Sequence, residues 1–385
     1  SDHLNIVTVQ CLTVTGKNPF QIGFADGIFA FKPVFYYGQR SECADLLNSY
    51  QTNTILQIQE VPHMTQTINP RKAAIIGCGF VGSATAFTLM QSRLFSELVL
   101  LDANEAKADG EAKDIAHGIP FAGQMKIYAG TYDDIADSAI IIITAGANQK
   151  PGETRLDLVH KNVAIYKSII PEISRRDFQG ILLIVSNPVD ILTYTALKLS
   201  GFPENRVIGS GTVLDTARLK YALSEHLGVD SRSVHSFIIG EHGDSEIAAW
   251  SSTNVSGIPL NTFCEMRGHY NHDAAMDRIA EEVKNSAYDI ISKKQATYYG
   301  IAMSVKRICE CIIRNERSIL PISSMMHGEY GISGISLSMP AIVGLNGIET
   351  HVPISLDADE AEKLRESAET LKKIAAELDL SAATN

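Results

Sequence analysis

A glycine-rich turn is the first feature of this sequence whose spacing is suited to chemistry. Residues 77–82 read GCGFVG and lie between an apolar stretch and an amphipathic one, so a strand should precede the turn and a helix should follow it. Gly77 allows a tight bend, Gly79 lets the backbone approach a pyrophosphate, and Gly82 lets helix and strand pack closely. The helix N-terminus then presents its positive dipole end to the phosphates. The turn therefore predicts a dinucleotide-binding site.

An acidic residue at the end of the next predicted strand supports that prediction. Asp102 lies 20 residues after Gly82. A carboxylate there accepts hydrogen bonds from a ribose hydroxyl and repels a 2′-phosphate, so NAD is favoured over NADP. The alternative is a glycine-rich turn that binds nothing, and the combination of strand, helix and acid argues against it.

A second group of polar residues has no evident purpose in a core. The segment GEHGD at 240–244 follows an apolar strand and holds His242, whose ordinary pKa of about 6.5 suits proton transfer. Asp215 and Arg218 lie three residues apart near the start of a predicted helix and therefore share a face. Asp215 is suited to orienting a histidine, and Arg218 to binding a carboxylate through its forked guanidinium. Taken one by one, these residues are better explained as an ordinary loop histidine and as a surface ion pair or helix cap.

Two polar loops also follow predicted strands. Residues 186–190, SNPVD, contain Asn187 and lie where ligands bind in open α/β sheets, beyond the strand ends. The alternative for this segment is a plain turn in which Asn187 caps a helix. Residues 145–155 form a polar loop containing glycines, a composition typical of a lid, and Arg155 at its far end is placed to reach over a substrate.

The order of apolar and amphipathic segments predicts the fold that positions these residues. From residue 72, short apolar strands alternate with longer helical patterns, which indicates crossover connections and a parallel sheet. We expect an α/β fold with a Rossmann-type doubly wound parallel sheet over 71–210, followed by a second, mixed α+β domain over 211–385. The predicted strands are 73–77, 98–102, 139–144, 181–186, 234–239, 318–325 and 335–343, and the predicted helical stretches are 81–91, 106–117, 154–174, 215–227, 273–313 and 357–378.

Residues 1–70 differ in composition from the rest of the chain. They carry few charges and many of the aromatic residues, with neither a helical nor a strand period. Two interpretations stay open: an extension with its own role, or a leader upstream of the native start. The second is favoured because Met64 lies shortly before the first predicted strand.

Composition excludes several classes of function. The chain has 385 residues and a formal net charge of −11, which disfavours nucleic-acid binding. The most apolar stretch, 20–37, is interrupted by Asp26 and Lys32, so we expect no membrane span. Six cysteines without a CxxC pair suit a reducing cytoplasm. The histidines show none of the spacings typical of metal ligands, so we expect no metal.

From about residue 72 to the C-terminus, the sequence resembles the bacterial-type L-lactate dehydrogenases of the lactate/malate dehydrogenase family. The resemblance implies reversible hydride transfer between NADH and pyruvate, giving (S)-lactate and NAD, as the last step of lactate fermentation. It also implies a Rossmann domain followed by a substrate domain, and a homotetramer. The alternatives are a malate or broader-range 2-hydroxy-acid dehydrogenase, and an NAD-binding protein that has lost turnover. The matching segments are 77–82, 100–104, 144–162, 186–194, 207–218, 238–245 and 296–301.

The resemblance also implies a role for each matching residue. His242 matches the proton donor, Asp215 the carboxylate that holds its imidazolium, and Arg155 the lid arginine that polarises the carbonyl group. Arg218 matches the clamp on the substrate carboxylate. The further substrate-binding positions are Gln149, Asn187, Asp190 and Thr297, and the cofactor-binding positions are Gly77, Gly79, Val81, Gly82, Asp102, Lys107, Tyr132, Gly146, Ala147, Ser168, Val185, Asn187 and Ser210.

Gln149 bears on substrate choice. The related malate dehydrogenases carry an arginine at this position, where it pairs with a second carboxylate. A neutral glutamine would leave the second carboxylate of oxaloacetate buried without a partner, which is costly. Pyruvate is therefore the expected substrate, with larger 2-oxo acids left open.

The sequence departs from the family pattern at two places. Many bacterial relatives bind fructose 1,6-bisphosphate through an arginine and a histidine at a subunit interface; His235 matches the histidine, but Lys220 stands in place of the arginine. Lysine keeps the charge and loses the fork, so activation by this sugar phosphate stays an open hypothesis. Gln295 replaces a glycine that usually precedes the segment at 296–299, which reduces backbone freedom near the pocket.

Overall fold

The chain forms two compact units, residues 1–63 and residues 64–385. The computed structural model describes the backbone of residues 6–7, 22–25, 28–30, 67–147 and 155–380, and the side chains of 67–147 and 156–380. In the first unit, strands β1 (Ile6–Val7), β2 (Ile22–Ala25) and β3 (Ile28–Ala30) pair in an antiparallel sheet.

The second unit begins with alternating strands and helices. The elements are β4 (Asn69–Ile76), α1 (Phe80–Ser92), β5 (Glu97–Leu101), α2 (Glu105–Ala116), α3 (Ile119–Ala122), β6 (Lys126–Ala129), β7 (Ser138–Ile143), α4 (Arg155–Ser174), β8 (Ile181–Ile184), α5 (Val189–Ser200), β9 (Val207–Gly209) and α6 (Val213–Leu227).

Shorter strands, further helices and a β-meander complete the second unit. They are β10 (Val234–His235), β11 (Ile238–Ile239), β12 (Ile247–Ala248), β13 (Asn254–Val255), β14 (Ile258–Pro259), α7 (Leu260–Met266), α8 (His272–Lys294), α9 (Tyr299–Ile313), β15 (Ser318–His327), β16 (Ser333–Gly344), β17 (Gly347–His351) and α10 (Ala358–Ala376).

The central sheet is doubly wound, as the sequence predicted. Its parallel part runs β6-β5-β4-β7-β8-β9, so the strand order reverses between β4 and β7. Strand β7 is buried along its whole length, which explains its continuous apolar sequence. Helices α1, α2 and α9 cover one face of the sheet, and α4, α5 and α10 cover the other. Ligands of such sheets bind at the carboxyl edge beside the reversal.

The same sheet continues into the second half of the chain, which the sequence did not predict. Ser323 of β15 pairs with Gly209 of β9, and β16 and β17 extend the sheet to nine strands. A Cβ atom at Gly209 would lie 2.7 Å from the Cβ of Ser323, so only glycine permits this close approach. The predicted strands at 318–325 and 335–343 therefore join the Rossmann-type sheet rather than a separate one.

Two predicted elements are broken in the structure. The predicted helical stretch at 273–313 was wrong as one unit: α8 ends at Lys294, and the next residue, Gln295, adopts a left-handed conformation with φ of 68° that stops the helix before α9 begins. The predicted strand at 234–239 is split into β10 and β11, which pair with different partners. Within the described residues, none of the helices is both long and apolar enough to cross a bilayer.

Candidate active site

The glycine turn lies at the point where the strand order reverses. Gly77 has φ of 106°, and a Cβ atom there would lie 2.5 Å from the amide nitrogen of Ala145, which follows β7. A Cβ atom at Gly82 would lie 1.9 Å from the carbonyl oxygen of Gly77. At Gly79, by contrast, a Cβ atom would meet nothing within 4 Å. Gly77 and Gly82 are thus needed for packing, whereas Gly79 keeps open the space before the N-terminus of α1, where a pyrophosphate fits.

Asp102 is held at the same edge by backbone amides. Its Oδ2 atom accepts a hydrogen bond from the amide of Cys78 at 2.7 Å, and its Oδ1 atom accepts one from the amide of Asn104 at 2.9 Å. Each oxygen keeps a second lone pair for a ribose hydroxyl. Burial, reinforced by the negative charge of Asp102, raises the pKa of the Cys78 thiol to about 12, so this cysteine is an unreactive packing residue. The acceptor oxygens of Asp102 and the open space before α1 fit NAD.

Asn162 joins the two loops beside the turn, and the sequence analysis missed it. Its side chain is buried; Oδ1 accepts a hydrogen bond from the amide of Ala147 at 2.7 Å, and Nδ2 donates one to the carbonyl oxygen of Asn187 at 2.7 Å. Asn187 itself is exposed. A single asparagine inside a helix gives no sequence signal for this role, because only the fold brings the two loops together.

The remaining predicted cofactor positions differ in their surroundings. Val185 and Ser210 are buried just after β8 and β9, at the same edge of the sheet. Tyr132 is half-buried, with the guanidinium of Arg176 5.6 Å from its ring centre. The exposed positions are Gly146, Lys107 in the first turn of α2, and Ser168 on α4, and the half-buried ones are Val81 and Ala147.

His242, Asp215 and Arg218 form one hydrogen-bonded chain, as their sequence pattern suggested. The Nδ1 atom of His242 lies 2.5 Å from Oδ2 of Asp215, and Nη1 of Arg218 donates to Oδ1 of Asp215 at 2.8 Å. The Asp215 side chain is 2% exposed, while that of His242 is 22% exposed. Both oxygens of a buried carboxylate are therefore engaged, and the imidazole keeps access to solvent.

The backbone around His242 is fixed by α5 and β16. Gly240 exchanges hydrogen bonds with the backbone of Ser338, and the amide of His242 donates to Oδ2 of Asp190 at 2.8 Å. The hydroxyl of Ser338 donates to Oδ1 of Asp190 at 2.9 Å. Asp190 is only 1% exposed, so its carboxylate supports the loop from behind. Burial raises its pKa to about 6, against the opposing effect of hydrogen bonds and the nearby His242 charge.

The electrostatics of the pair favour a protonated histidine. Burial disfavours the charge on His242, but Asp215 beside it outweighs burial and raises the histidine pKa to about 9. Burial likewise disfavours ionised Asp215, and the charges and hydrogen bonds of His242 and Arg218 lower its pKa below the usual range. The arrangement stores a proton on an imidazole that can release it to a neighbouring atom.

A third acid lies beside this pair. Carboxylate oxygens of Asp215 and Glu246 and a ring nitrogen of His242 are all within 4.8 Å of one another. The Arg218 guanidinium is bonded to Asp215, so a cation there would face a fixed positive charge. Sequence analysis did not select Glu246, because one acid in an acidic loop carries no distinguishing signal.

The other predicted site residues are placed as follows. Thr297 is half-buried in the connection between α8 and α9. Gln149 lies outside the described residues, and of Arg155 only the backbone, as the first residue of α4, is described. Lys220 on α6 is half-buried, and burial lowers its pKa, while His235 on β10 is exposed. Helix α6 and strand β10 contact one another.

The doubly wound sheet holds a dinucleotide turn and a histidine–carboxylate pair at one edge. This combination is typical of an NAD-dependent oxidoreductase, in which the cofactor carries the hydride and the histidine carries the proton. Comparison with protein families makes the class specific. Residues 71–209 match the model of the lactate/malate dehydrogenase NAD-binding domain, and residues 212–379 match that of the alpha/beta C-terminal domain of the same enzymes. The chain belongs to the lactate/malate dehydrogenase family, which confirms the resemblance found in the sequence.

Curated relatives and solved structures agree with this assignment. An L-lactate dehydrogenase of Acetivibrio thermocellus is 55% identical over 310 residues, covering 80% of this chain and 98% of that protein. L-lactate dehydrogenase 1 of Clostridium acetobutylicum is 52% identical, covering 78% of this chain and 96% of that protein. The structure of the minor L-lactate dehydrogenase from Enterococcus mundtii superposes with a TM-score of 0.78 at 43% identity, covering 81% of this chain and 99% of that one.

Proposed function

We propose that this enzyme interconverts pyruvate and (S)-lactate with NAD, using His242 as the proton donor and acceptor. The observation that carries the proposal is the bond between His242 and the buried Asp215, because it supplies a stabilised proton. The loop of His242 is tied through Asp190 to α5, which follows the Asn187 loop, and Asn162 ties that loop to Ala147 near the glycine turn. Proton donor and dinucleotide turn are thus parts of one hydrogen-bonded edge.

The residues of the chain divide the work of pyruvate reduction. Bound NADH supplies the hydride that reaches the carbonyl carbon. His242 gives a proton from Nε2 to the carbonyl oxygen, and Asp215 stabilises the imidazolium before transfer and holds its tautomer. Arg218 uses one nitrogen on Asp215 and keeps its other donors for the substrate carboxylate. In the reverse direction, neutral His242 accepts the hydroxyl proton of lactate.

Other residues position or complete this site. Asp190 is proposed to fix the His242 backbone, because its buried oxygens are occupied by His242 and Ser338. Arg155 is proposed to polarise the substrate carbonyl from the lid, and Asn187 and Thr297 to contact the substrate. We further propose that residues 71–210 form the NAD-binding domain and 211–385 the substrate domain, with 1–70 an extension that precedes both.

Gln149 is proposed to select pyruvate over oxaloacetate. The support is chemical: a neutral amide offers no counter-charge to a second carboxylate, which would be buried at a cost. The alternative, a malate or broader-range dehydrogenase, requires another cation in the pocket. Gln149→Arg should raise activity with oxaloacetate relative to pyruvate, whereas Gln149→Asn should leave pyruvate preferred.

Assembly and regulation are proposed on separate grounds. A homotetramer is proposed from the family resemblance. Self-association is supported by exposed aromatic and aliphatic side chains on the packed helices α1 and α9, namely Phe80, Phe87, Tyr299 and Met303. Lys220 and His235, on contacting elements, are proposed to bind fructose 1,6-bisphosphate. A cytoplasmic location is supported by Cys78, Cys264, Cys309 and Cys311, all of them free thiols.

The deciding experiment follows NADH oxidation at 340 nm with pyruvate and oxaloacetate in parallel, each with and without fructose 1,6-bisphosphate. Strong preference for pyruvate supports the role of Gln149, and preference for oxaloacetate contradicts it. A rise in rate at subsaturating pyruvate supports the sugar phosphate site, and an unchanged rate removes it. Sedimentation velocity of the same preparation tests the tetramer.

A further inference from the structure

Glu246 is a half-buried acidic residue whose carboxylate has no direct polar partner among the described residues. It lies four residues after His242, just before β12, and its amide donates to the carbonyl oxygen of Gly243 at 3.2 Å. Its side chain is half-buried. Within the part of the chain that the structure describes, no hydrogen bond or ion pair engages its carboxylate, so no direct polar contact explains its presence.

The position of this carboxylate is next to the proton of the reaction. One of its oxygens lies within 4.8 Å of a His242 ring nitrogen and of an Asp215 oxygen. Glu246 also lines a cavity of about 300 Å³, together with Ile238, Ala248 and residues of helix α8. Glu246 therefore borders both the His242–Asp215 pair and that cavity.

Charged side chains from four parts of the chain face Glu246 or its neighbour His242. Asp215 and Arg218 come from α6, Asp190 comes from α5, and His242 lies on the loop of Glu246 itself. Helix α8 contributes a lysine and two acids to the cavity wall. The residues from α8 are Asp277, Glu281 and Lys284.

The charges around His242 explain how Glu246 affects the imidazole. With Asp215, Glu246, His242 and Arg218 all ionised, the four charges cancel. If His242 then loses its proton, one negative charge remains in a poorly solvated place, which is unfavourable. Each added carboxylate near the ring thus makes it harder for the His242 imidazolium to lose its proton.

We propose that Glu246 is a positioning residue for the catalytic proton: with Asp215, its carboxylate keeps His242 protonated to higher pH, and it thereby sets the pH range in which pyruvate reduction gives way to lactate oxidation. The proposal rests on the proposed role of His242 as proton donor. Glu246 touches neither substrate nor cofactor in this scheme, and it acts only through the imidazole.

The acid–base balance of the cluster agrees with this role. Burial, together with the charge of Asp215, raises the pKa of Glu246 to about 8, against the opposing effects of His242, Arg218 and Lys284. The carboxyl group of Glu246 is therefore protonated and neutral at low pH, and it becomes negative as the pH passes 8. It adds its charge in the range where His242 would otherwise begin to lose its proton.

The test compares the Glu246→Gln variant with the wild-type enzyme in both reaction directions between pH 5.5 and 10. We expect the basic limb of kcat/KM for pyruvate, and the acidic limb of kcat/KM for lactate, both to shift down by about one pH unit. At pH near 8, reduction should slow while oxidation speeds up. A merely structural defect would lower both rates together and leave the limbs in place, and that result would overturn the proposal.

Matched variants complete the design. Glu281→Gln removes the same charge from the same cavity but lies outside the cluster of three, so its limbs should stay at the wild-type pH; an equal shift would mean that general charge is responsible and would overturn the proposal. Glu246→Asp keeps the charge, so its limbs should lie closer to the wild-type pH than those of Glu246→Gln. If Glu246→Gln fails to fold, Lys284→Met serves instead. Without that cation Glu246 stays neutral to higher pH, so both limbs should move to lower pH, by less than in Glu246→Gln. Unmoved limbs in this variant would overturn the proposal.

A direct titration separates this inference from the proposed function. The NMR signals of the His242 ring, assigned by their loss in His242→Asn, should titrate at lower pH in Glu246→Gln than in the wild type. If His242→Asn keeps full activity, the proposed function fails. If His242→Asn is inactive and the His242 titration is the same with and without Glu246, the proposed function stands and the role of Glu246 is refuted.

Discussion

The Nδ1 atom of His242 lies 2.5 Å from the Oδ2 atom of Asp215, a carboxylate that is only 2% exposed. This bond joins the loop after β11 to the first turn of α6. A buried carboxylate in contact with an imidazole stabilises the protonated ring and fixes which nitrogen faces the substrate. Four of the predictions below concern chemistry or cofactor binding at this edge of the sheet, and the fifth concerns backbone strain at Gln295.

Replacement of Asp215 should remove the stabilised proton. We expect Asp215→Asn to lower kcat/KM for pyruvate by about 10²–10⁴-fold, the usual contribution of general acid catalysis. The measurement is steady-state NADH oxidation at pH 7. Asp230→Asn is the control, because Asp230 pairs with Arg232 on the surface and should leave the rate unchanged. Full activity of Asp215→Asn would show that the pair has no catalytic part.

The pH dependence of rate and stability should follow the raised pKa of His242. Since that pKa is about 9, pyruvate reduction should fall as the pH rises through 9, and lactate oxidation should fall as it drops below 9. The folded-state pKa exceeds the unfolded value of about 6.5, so the stabilisation is complete below pH 6.5 and is lost between there and 9. Urea unfolding should therefore show a free energy that declines over this window in the wild type and declines less in His242→Asn.

The glycines of the turn should separate binding from folding. Gly79→Val fills open space, so we expect the Kd for NADH to rise about tenfold or more, which is about 1.4 kcal/mol, with an unchanged Tm. Gly82→Val drives a side chain against the Gly77 carbonyl and should lower the stability by about 1–3 kcal/mol. Fluorescence titration and thermal melting measure the two effects. A tightly binding Gly79→Val enzyme would contradict a pyrophosphate at this position.

Asp102 should decide between the two nicotinamide cofactors. We expect Asp102→Asn to raise kcat/KM with NADPH relative to NADH by about tenfold, because it removes a negative charge that repels the 2′-phosphate. An asparagine oxygen can still accept one of the amide hydrogen bonds now made by Asp102, which limits damage to the turn. Asp109→Asn on the exposed face of α2 is the control for charge alone. An unaltered ratio would show that the cofactor preference arises elsewhere.

Gln295 should be a site of backbone strain. Its φ of 68° favours glycine, so Gln295→Gly should raise the free energy of unfolding by about 0.5–1 kcal/mol, since relief of the left-handed conformation exceeds the added entropy of the unfolded chain. Gln295→Ala keeps the strain and should bring no gain. Thermal melting compares the three proteins. Equal stability of the glycine and alanine variants would contradict the strain.

The parts of the enzyme that depend on local sequence were predictable. The glycine turn and Asp102 lie within one strand–helix–strand segment, and the strands of the parallel sheet carry continuous apolar runs that only burial explains. The bounds of α1, β5 and α2 agree with their predictions within about two residues, the usual uncertainty at element ends. Resemblance to a known family then extended these local patterns to a function.

What depends on distant segments required the tertiary structure. Asp215 and His242 were each suggestive alone, but only the packing of α6 against β11 brings them to 2.5 Å. Asn162 and Asp190 acquire their roles by filling hydrogen bonds of loops far away in sequence, and Glu246 acquires its role by lying beside a charged pair. Periodicity encodes which face of an element is buried, whereas electrostatic coupling falls off over a few ångströms and is therefore decided by three-dimensional distance.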